Sequence, residues 1–148
     1  MKVRVAELEE ILPLRQAVII EGTNRTSPNF PGDRFKTTIH IGAFRGDECI
    51  GCASFYQNDW QGQTAWQLRG MATAPEWRNR GIGKALLLFT EAYLPKLTPI
   101  HIFWCNARTA ARHFYEKNGW RAEGEEFIIQ GVGPHYEMVK ELPPCATV

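Results

Sequence analysis

Long apolar runs are missing from the chain: none of its 148 residues falls in the roughly 18 consecutive apolar positions that a membrane-crossing helix needs. Its opening residues, Met1-Lys2-Val3-Arg4-Val5, carry no apolar block of the signal-peptide kind, so a cytoplasmic location away from membranes is expected. An excess of charge is missing too. Lys and Arg number 17 against 16 Asp and Glu, a formal net charge of +1, which argues against nucleic acid as the main partner. Cysteine is scarce, at four residues, and a disulfide framework is not expected in a chain able to build its own core. Cys49-Ile50-Gly51-Cys52 has the spacing of half a zinc site. Cys105 and Cys145 do not supply the other half, and in a strand residues three apart face opposite ways, so no metal is expected. Internal repeats and low-complexity linkers are absent as well.

What is present, 44% hydrophobic and 22% charged residues, suits one domain. It is expected to occupy residues 1–142, followed by a flexible tail at 143–148. The hydrophobic period switches between two and 3.6 along the chain. Residues 2–6 read as a strand. Residues 7–21 read as a helix with Leu8, Ile11, Leu12, Arg15, Val18 and Ile19 on one face, bent or restarted at Pro13. Residues 23–34 are rich in Asn, Pro, Gly, Ser and Thr and read as an irregular, pocket-shaping loop with a turn at Pro31-Gly32-Asp33. Residues 37–44 and 48–57 flank the turn Arg45-Gly46-Asp47 as a hairpin, and 64–73 adds a third strand. Residues 84–94 read as a helix whose Ala85, Leu88, Phe89 and Ala92 form a buried stripe, stopped by Pro95. A strand at 99–105 leads to a helix bearing Ala107, Ala110, Ala111 and Phe114, with Asn106 as N-cap and Gly119 as C-cap. Two strands, 120–130 and 134–141, close the order. The fold class is mixed α/β (α+β), a central, mostly antiparallel sheet flanked by helices.

The segment with most chemical content is Arg78-Asn79-Arg80-Gly81-Ile82-Gly83-Lys84, between a strand and an amphipathic helix. The first N–H groups of a helix have no internal partners and lie at the positive end of its dipole, so a diphosphate fits there. Gly81 and Gly83 allow close approach, while Arg78, Arg80 and Lys84 add charge. The loop is neither a Walker loop, since Ala85 follows Lys84, nor a dinucleotide fingerprint, since position 86 is Leu86. Taken alone it reads first as a glycine turn before a helix with solvated arginines, and at most as an anion site.

Leu68-Arg69-Gly70-Met71-Ala72-Thr73 followed by Arg78-x-x-Gly81-x-Gly83 resembles the acyl-CoA signature of the GNAT acetyltransferase superfamily. A second block, Asn106-Ala107-Arg108 through Phe114-Tyr115 to Gly119-Trp120, is similar to that family's later segment. Shorter blocks, Trp66 to Ala72, Trp104 to Arg108 and Gly131 to His135, resemble a subgroup of small bacterial members. The resemblance implies a sheet splayed near the donor and acetyl-CoA as acyl donor without a metal. The acceptor it implies is a primary amine of a small molecule or peptide, attacking directly. A non-catalytic acyl-CoA-sensing module, or a nucleotide-binding enzyme using the same loop, is the alternative. A monomer or homodimer fits either.

Carried over residue by residue, the resemblance puts the pantetheine arm on Met71, Ala72 and Thr73, and the pyrophosphate on Arg78, Asn79, Arg80, Gly81, Ile82, Gly83 and Lys84. Asn106 is implied as a further donor contact, and Tyr115 as the acid that protonates the leaving thiolate, with packing aromatic as its plain alternative. A glutamate base common in the family is not matched: the strand face expected to hold it shows Gln67, Arg69, Met71 and Thr73. His135 and His40 are the candidate bases, each equally readable as a structural histidine. Arg69 and Arg108 are candidate contacts for an anionic acceptor, with surface ion pairing as the alternative. Trp60, Trp66 and Trp104 fit a pocket wall, although core burial is the commoner fate of tryptophan.

Overall fold

A computed structural model describes residues 1–143 of the chain. It runs β1 (Lys2–Ala6), α1 (Leu8–Arg15), β2 (Ile39–Arg45), β3 (Glu48–Gln57), β4 (Trp66–Thr73), α2 (Ile82–Tyr93), β5 (Ile102–Arg108), α3 (Arg112–Lys117), β6 (Arg121–Ile129) and β7 (Gly133–Glu141). Residues 144–148, which include Cys145 and most of the expected tail, lie outside the described residues.

The strands form one sheet in the order β1-β2-β3-β4-β5-β7-β6. β1 to β4 are antiparallel neighbours in chain order, β1 reaching β2 through α1 and the irregular connection after it, but the crossover through α2 sets β5 parallel to β4, as a long helical connection allows. That pairing is brief. It holds at Trp66↔Phe103 and Gln67↔Trp104, after which the strands part while β5 stays zipped to β7 through Arg108↔His135. The splay expected from the resemblance is therefore present.

The helices cover opposite faces. A Cβ built on Gly51 of β3 would come within 2.5 Å of Ile82 of α2, while Ser54, three residues on, bonds Arg15 of α1. Residues three apart in a strand point to opposite sides. Between the layers, Ile11, Ile50, Phe55, Trp66, Leu86 and Phe103 are almost fully buried.

Four sequence expectations need correction. First, residues 7–21 are not one α-helix. After α1, residues Gln16–Ile20 form a π-helical turn, closed by Glu21 N–H on the Gln16 carbonyl at 3.1 Å; Pro13 sits inside α1, where its ring removes one backbone donor. Second, the buried stripe of α2 is Ile82, Leu86, Leu87 and Thr90, one position round from the expected set, and Leu88 is 55% exposed. The consecutive apolar residues Ala85 to Phe89 occupy every side of the helix, which leaves the phase of its buried stripe ambiguous. Third, Asn106 caps no helix. It lies in β5 opposite Glu137 of β7, and Arg108 ends that strand rather than starting a helix. A turn at Thr109–Ala111 precedes the short α3, so strand pairing overrode helical spacing here.

Fourth, Arg69 and Met71 do not share a sheet face by register. Arg69 stands opposite Ser54 and Ala72 opposite Cys52, so Gly70 and Met71 together face one residue, Ala53. This is a β-bulge. It rests on Gly70, whose φ is +69° and whose Cβ would lie 3.0 Å from Phe30 and 3.1 Å from Arg15 Nε.

Candidate active site

Where β4 and β5 part, two cavities meet. The larger, about 910 Å³, lies over the turn into α2 and is lined by Ala72, Thr73, Asn79, Gly81, Gly83 and Lys84 among others. The smaller, about 380 Å³, lies between β4, β5 and the connection before β2, with Arg69, Asn106 and His135 in its wall. Six residues belong to both: Val18, Met71, Arg78, Arg108, Ala111 and Tyr115.

In the larger cavity the chain turns with two left-handed residues, Asn79 (φ +62°) and Gly81 (φ +78°). Gly81 is the N-cap of α2 and brings no side-chain cap. The first bond of the helix is Ala85 N–H on the Gly81 carbonyl at 3.0 Å, so the N–H groups of Ile82, Gly83 and Lys84 have no backbone acceptor among the described residues. Such donors suit an anion. Arg80 does not line this cavity; its guanidinium lies 5.0 Å from the centre of the Trp77 ring, which Arg45 also approaches, at 4.9 Å. Gly83 answers a packing demand: a Cβ there would sit 2.9 Å from Phe114 Cζ, whereas Gly81 has open space around it.

Phe114 and Tyr115 come from α3, whose end fixes them. Gly119 (φ +88°) and Trp120 donate to the Glu116 and Tyr115 carbonyls at 3.1 and 3.0 Å, and the Tyr115 and Trp120 rings meet at 5.2 Å. That is a Schellman closure with its hydrophobic contact, with the expected Gly119 one residue past the cap, Asn118. Tyr115 is 6% exposed and its hydroxyl points at Met71 Sδ, 3.8 Å away. Burial pushes the phenol well above its ordinary pKa, with Cys105 adding to the effect. The Cys105 thiol itself is pushed up to about 12 by burial. Both groups are uncharged at neutral pH.

His135, on β7, is 4% exposed. Its Nδ1 lies 2.7 Å from the Gly133 carbonyl oxygen and its ring tilts against Phe127 at 6.0 Å. A carbonyl only accepts, so Nδ1 carries the hydrogen and the neutral ring keeps its lone pair on Nε2. His40 is elsewhere. It lies outside both cavities, with Nε2 on the Asp33 carbonyl at 2.9 Å and Nδ1 on Ser54 Oγ at 2.6 Å. Trp104 donates to the Asn58 carbonyl at 2.9 Å and Trp60 to Glu137 at 2.7 Å; with buried Trp66, none of the three tryptophans lines either cavity.

Sequence reading missed what builds the smaller cavity. Arg15, fully buried, donates to both Asp33 carboxylate oxygens at 2.7 and 3.2 Å, to the Pro28 carbonyl at 2.8 Å and to Ser54 Oγ at 2.9 Å. Tyr56 Oη and Phe30 N–H also donate to Asp33. Burial alone pushes the Asp33 carboxyl up, but the bonds from Arg15, Tyr56 and Phe30 bring it below the ordinary value. This knot pins the connection before β2, so that Arg25 and Phe30 enter the cavity wall. The π-helical turn adds Val18 and Ile19. An arginine at a buried helix position was the available signal.

A sheet opened between parallel strands, with a helix start and a buried tyrosine facing the gap, defines an acyltransferase domain here. The family model of the acetyltransferase (GNAT) family matches residues 13–120, and the chain belongs to that family. It is 30% identical over 145 residues to the uncharacterized N-acetyltransferase YitI of Bacillus subtilis (strain 168), covering 96% of this chain and 97% of that protein. Among solved structures, Escherichia coli ElaA is similar with a TM-score of 0.81 at 18% identity, over 95% of this chain and 100% of that one. An aminoglycoside 6'-N-acetyltransferase complexed with coenzyme A gives 0.79 at 16% identity, over 99% and 100%. These two similarities are likenesses of fold.

Proposed function

We propose that the protein transfers an acetyl group from acetyl-CoA to a primary amine of a small molecule or peptide by direct attack. The position of Tyr115 carries this reading: it lines both cavities at once, where a donor held on one side meets an acceptor on the other. The free N–H groups of Ile82, Gly83 and Lys84, with Arg78 beside them, suit the donor's pyrophosphate. Asn79 and Gly81 shape that turn, and Arg80 serves it through Trp77. Met71, Ala72 and Thr73 lie on the parted side of β4, where backbone groups are open to the pantetheine arm. Asn106 lies in the smaller cavity wall, so its contact falls at the reactive end of the donor.

Acetyl-CoA supplies a thioester whose carbonyl carbon an uncharged amine attacks, so that a C–N bond forms and the C–S bond breaks. The electron pair leaves on sulfur. His135 Nε2, holding its lone pair, takes the proton that the amine gives up. Tyr115 offers its O–H to the departing sulfur; its raised pKa makes it a steady hydrogen-bond donor that yields its proton only as negative charge builds.

A free-thiol assay with acetyl-CoA and a panel of amines tests the proposal. Thiol release that depends on the amine and yields its N-acetyl product is expected. Tight binding of ATP with none of acetyl-CoA would sink it.

A further inference from the structure

The smaller cavity is lined by four arginines, Arg25, Arg69, Arg78 and Arg108, and by no Asp or Glu. Outside it most arginines are neutralised: Arg4, Arg15, Arg34, Arg112 and Arg121 each hold a carboxylate within 3.4 Å, and Arg45 and Arg80 lie over the Trp77 ring, whereas none of the four in the cavity has a carboxylate partner among the described residues. Acidic groups on neighbouring segments are committed already: Asp33 to Arg15 and Tyr56, Glu137 to Trp60, and Glu126 to Thr109.

Arg78 and Arg108 also line the larger cavity, where donor phosphates account for them. Arg25 and Arg69 line the smaller one alone. Arg69 is half-buried, with its guanidinium 5.0 Å from the Phe30 ring centre and 5.3 Å from that of Tyr56. Its single protein acceptor among the described residues is the Pro31 carbonyl, at a long 3.4 Å. Arg25 approaches the same Phe30 ring at 5.8 Å. A planar guanidinium held by rings, with its forked donors nearly unused, is shaped for an oxyanion. Burial lowers the Arg69 pKa from its ordinary value, the cost of a charge awaiting a partner.

Resting on the acetyl-transfer reading above, we infer that the acceptor is an amine that also carries an oxyanion, carboxylate or phosphate, bound by Arg69 and Arg25, and that polycationic amines are rejected. Like charge repels them from the cavity. An acceptor with its own anion neutralises the wall and presents its amine towards Tyr115 and His135.

The test is calorimetric titration of the full chain with N-acetylglutamate, the uncharged amide of N-acetylglutamine, phosphoethanolamine and spermidine. One or both anionic probes should bind roughly tenfold or more tightly than the neutral and cationic ones, and which of them does so separates carboxylate from phosphate. Arg69→Gln should abolish the preference and Arg69→Lys keep part of it, while Arg34→Gln, outside the cavity, should retain it; circular dichroism checks that each variant folds. Binding of spermidine or the neutral amide as tight as that of both anions, no binding of either anion, or an unchanged preference in a folded Arg69→Gln, overturns the inference. Thiol release distinguishes the two readings. Anion preference without thiol release from any amine sinks acetyl transfer alone, and fastest release with spermidine sinks the anionic acceptor alone.

Discussion

His135 and His40 make the same bond to a backbone carbonyl through opposite ring nitrogens: His135 through Nδ1 to Gly133 at 2.7 Å, His40 through Nε2 to Asp33 at 2.9 Å. Each carbonyl fixes a tautomer, and the difference lies in the remaining nitrogen. Ser54 occupies Nδ1 of His40 at 2.6 Å, whereas Nε2 of His135 has no hydrogen-bonding partner among the described residues. His135→Gln should lower kcat about a hundredfold with little change in melting temperature. His40→Ala should do the opposite, costing about 1–3 kcal/mol of stability while sparing kcat. Steady-state kinetics beside thermal melts measure both, and a swapped pattern would reassign the base.

Tyr115→Phe removes one hydroxyl whose protein partners are sulfur atoms, the Met71 thioether at 3.8 Å and the Cys105 thiol. Stability should therefore change by less than about 1 kcal/mol, and acetyl-CoA affinity should hold within a few-fold. The rate should fall by about ten- to a thousandfold, measured in single turnover. A variant with full rate would make Tyr115 a packing residue.

Gly81 and Gly83 are separable. Gly81→Ala strains a left-handed residue in open space and should cost about 1 kcal/mol. Gly83→Ala places a methyl against Phe114 and should cost about 1–3 kcal/mol, with a loss of rate as α3 shifts under Tyr115. Paired melts and assays decide. Equal effects on rate would point to the pyrophosphate turn itself rather than to Phe114.

Asp33→Asn leaves Arg15 buried without its counter-charge and should cost about 3–5 kcal/mol, and it should weaken acceptor binding as Arg25 and Phe30 loosen. The acid limb gives a second check. A carboxylate whose folded pKa lies below its unfolded value stabilises fully above the unfolded value and loses that contribution as pH falls through the folded one. Wild-type stability should therefore decline below about pH 4 more steeply than that of the variant. Parallel decline would show that Asp33 is not the group being titrated.

Much of this was legible in the sequence, and the exceptions share a cause. Element order, the hairpin at Gly46 and the turn at Gly81 follow from local chemistry. The motif blocks around Arg78 and Tyr115 pointed to the proposed donor side. What local periodicity could not give was pairing. Ala107 stands at helical spacing from Ala110, Ala111 and Phe114, with Asn106 as an N-cap before it, yet β7 claims both for a strand, and the bulge at Gly70 depends on Arg15 and Phe30 from distant segments. The acceptor side was least legible because the Arg15–Asp33 pair spans the whole irregular connection it organises. The four arginines without a carboxylate in one cavity become a pattern only once the paired ones are known.

The parting of β4 from β5 also gives the sheet a third edge. Its outer edges are blunted, β1 by its five residues and β6 by a register break between Glu123 and Phe127, as edges exposed to other chains commonly are. The inner edge of β4 beyond Gln67 needs no such protection. It borders the two cavities, so that the backbone groups which on an outer edge would invite another chain face an enclosed space inside the molecule's own fold.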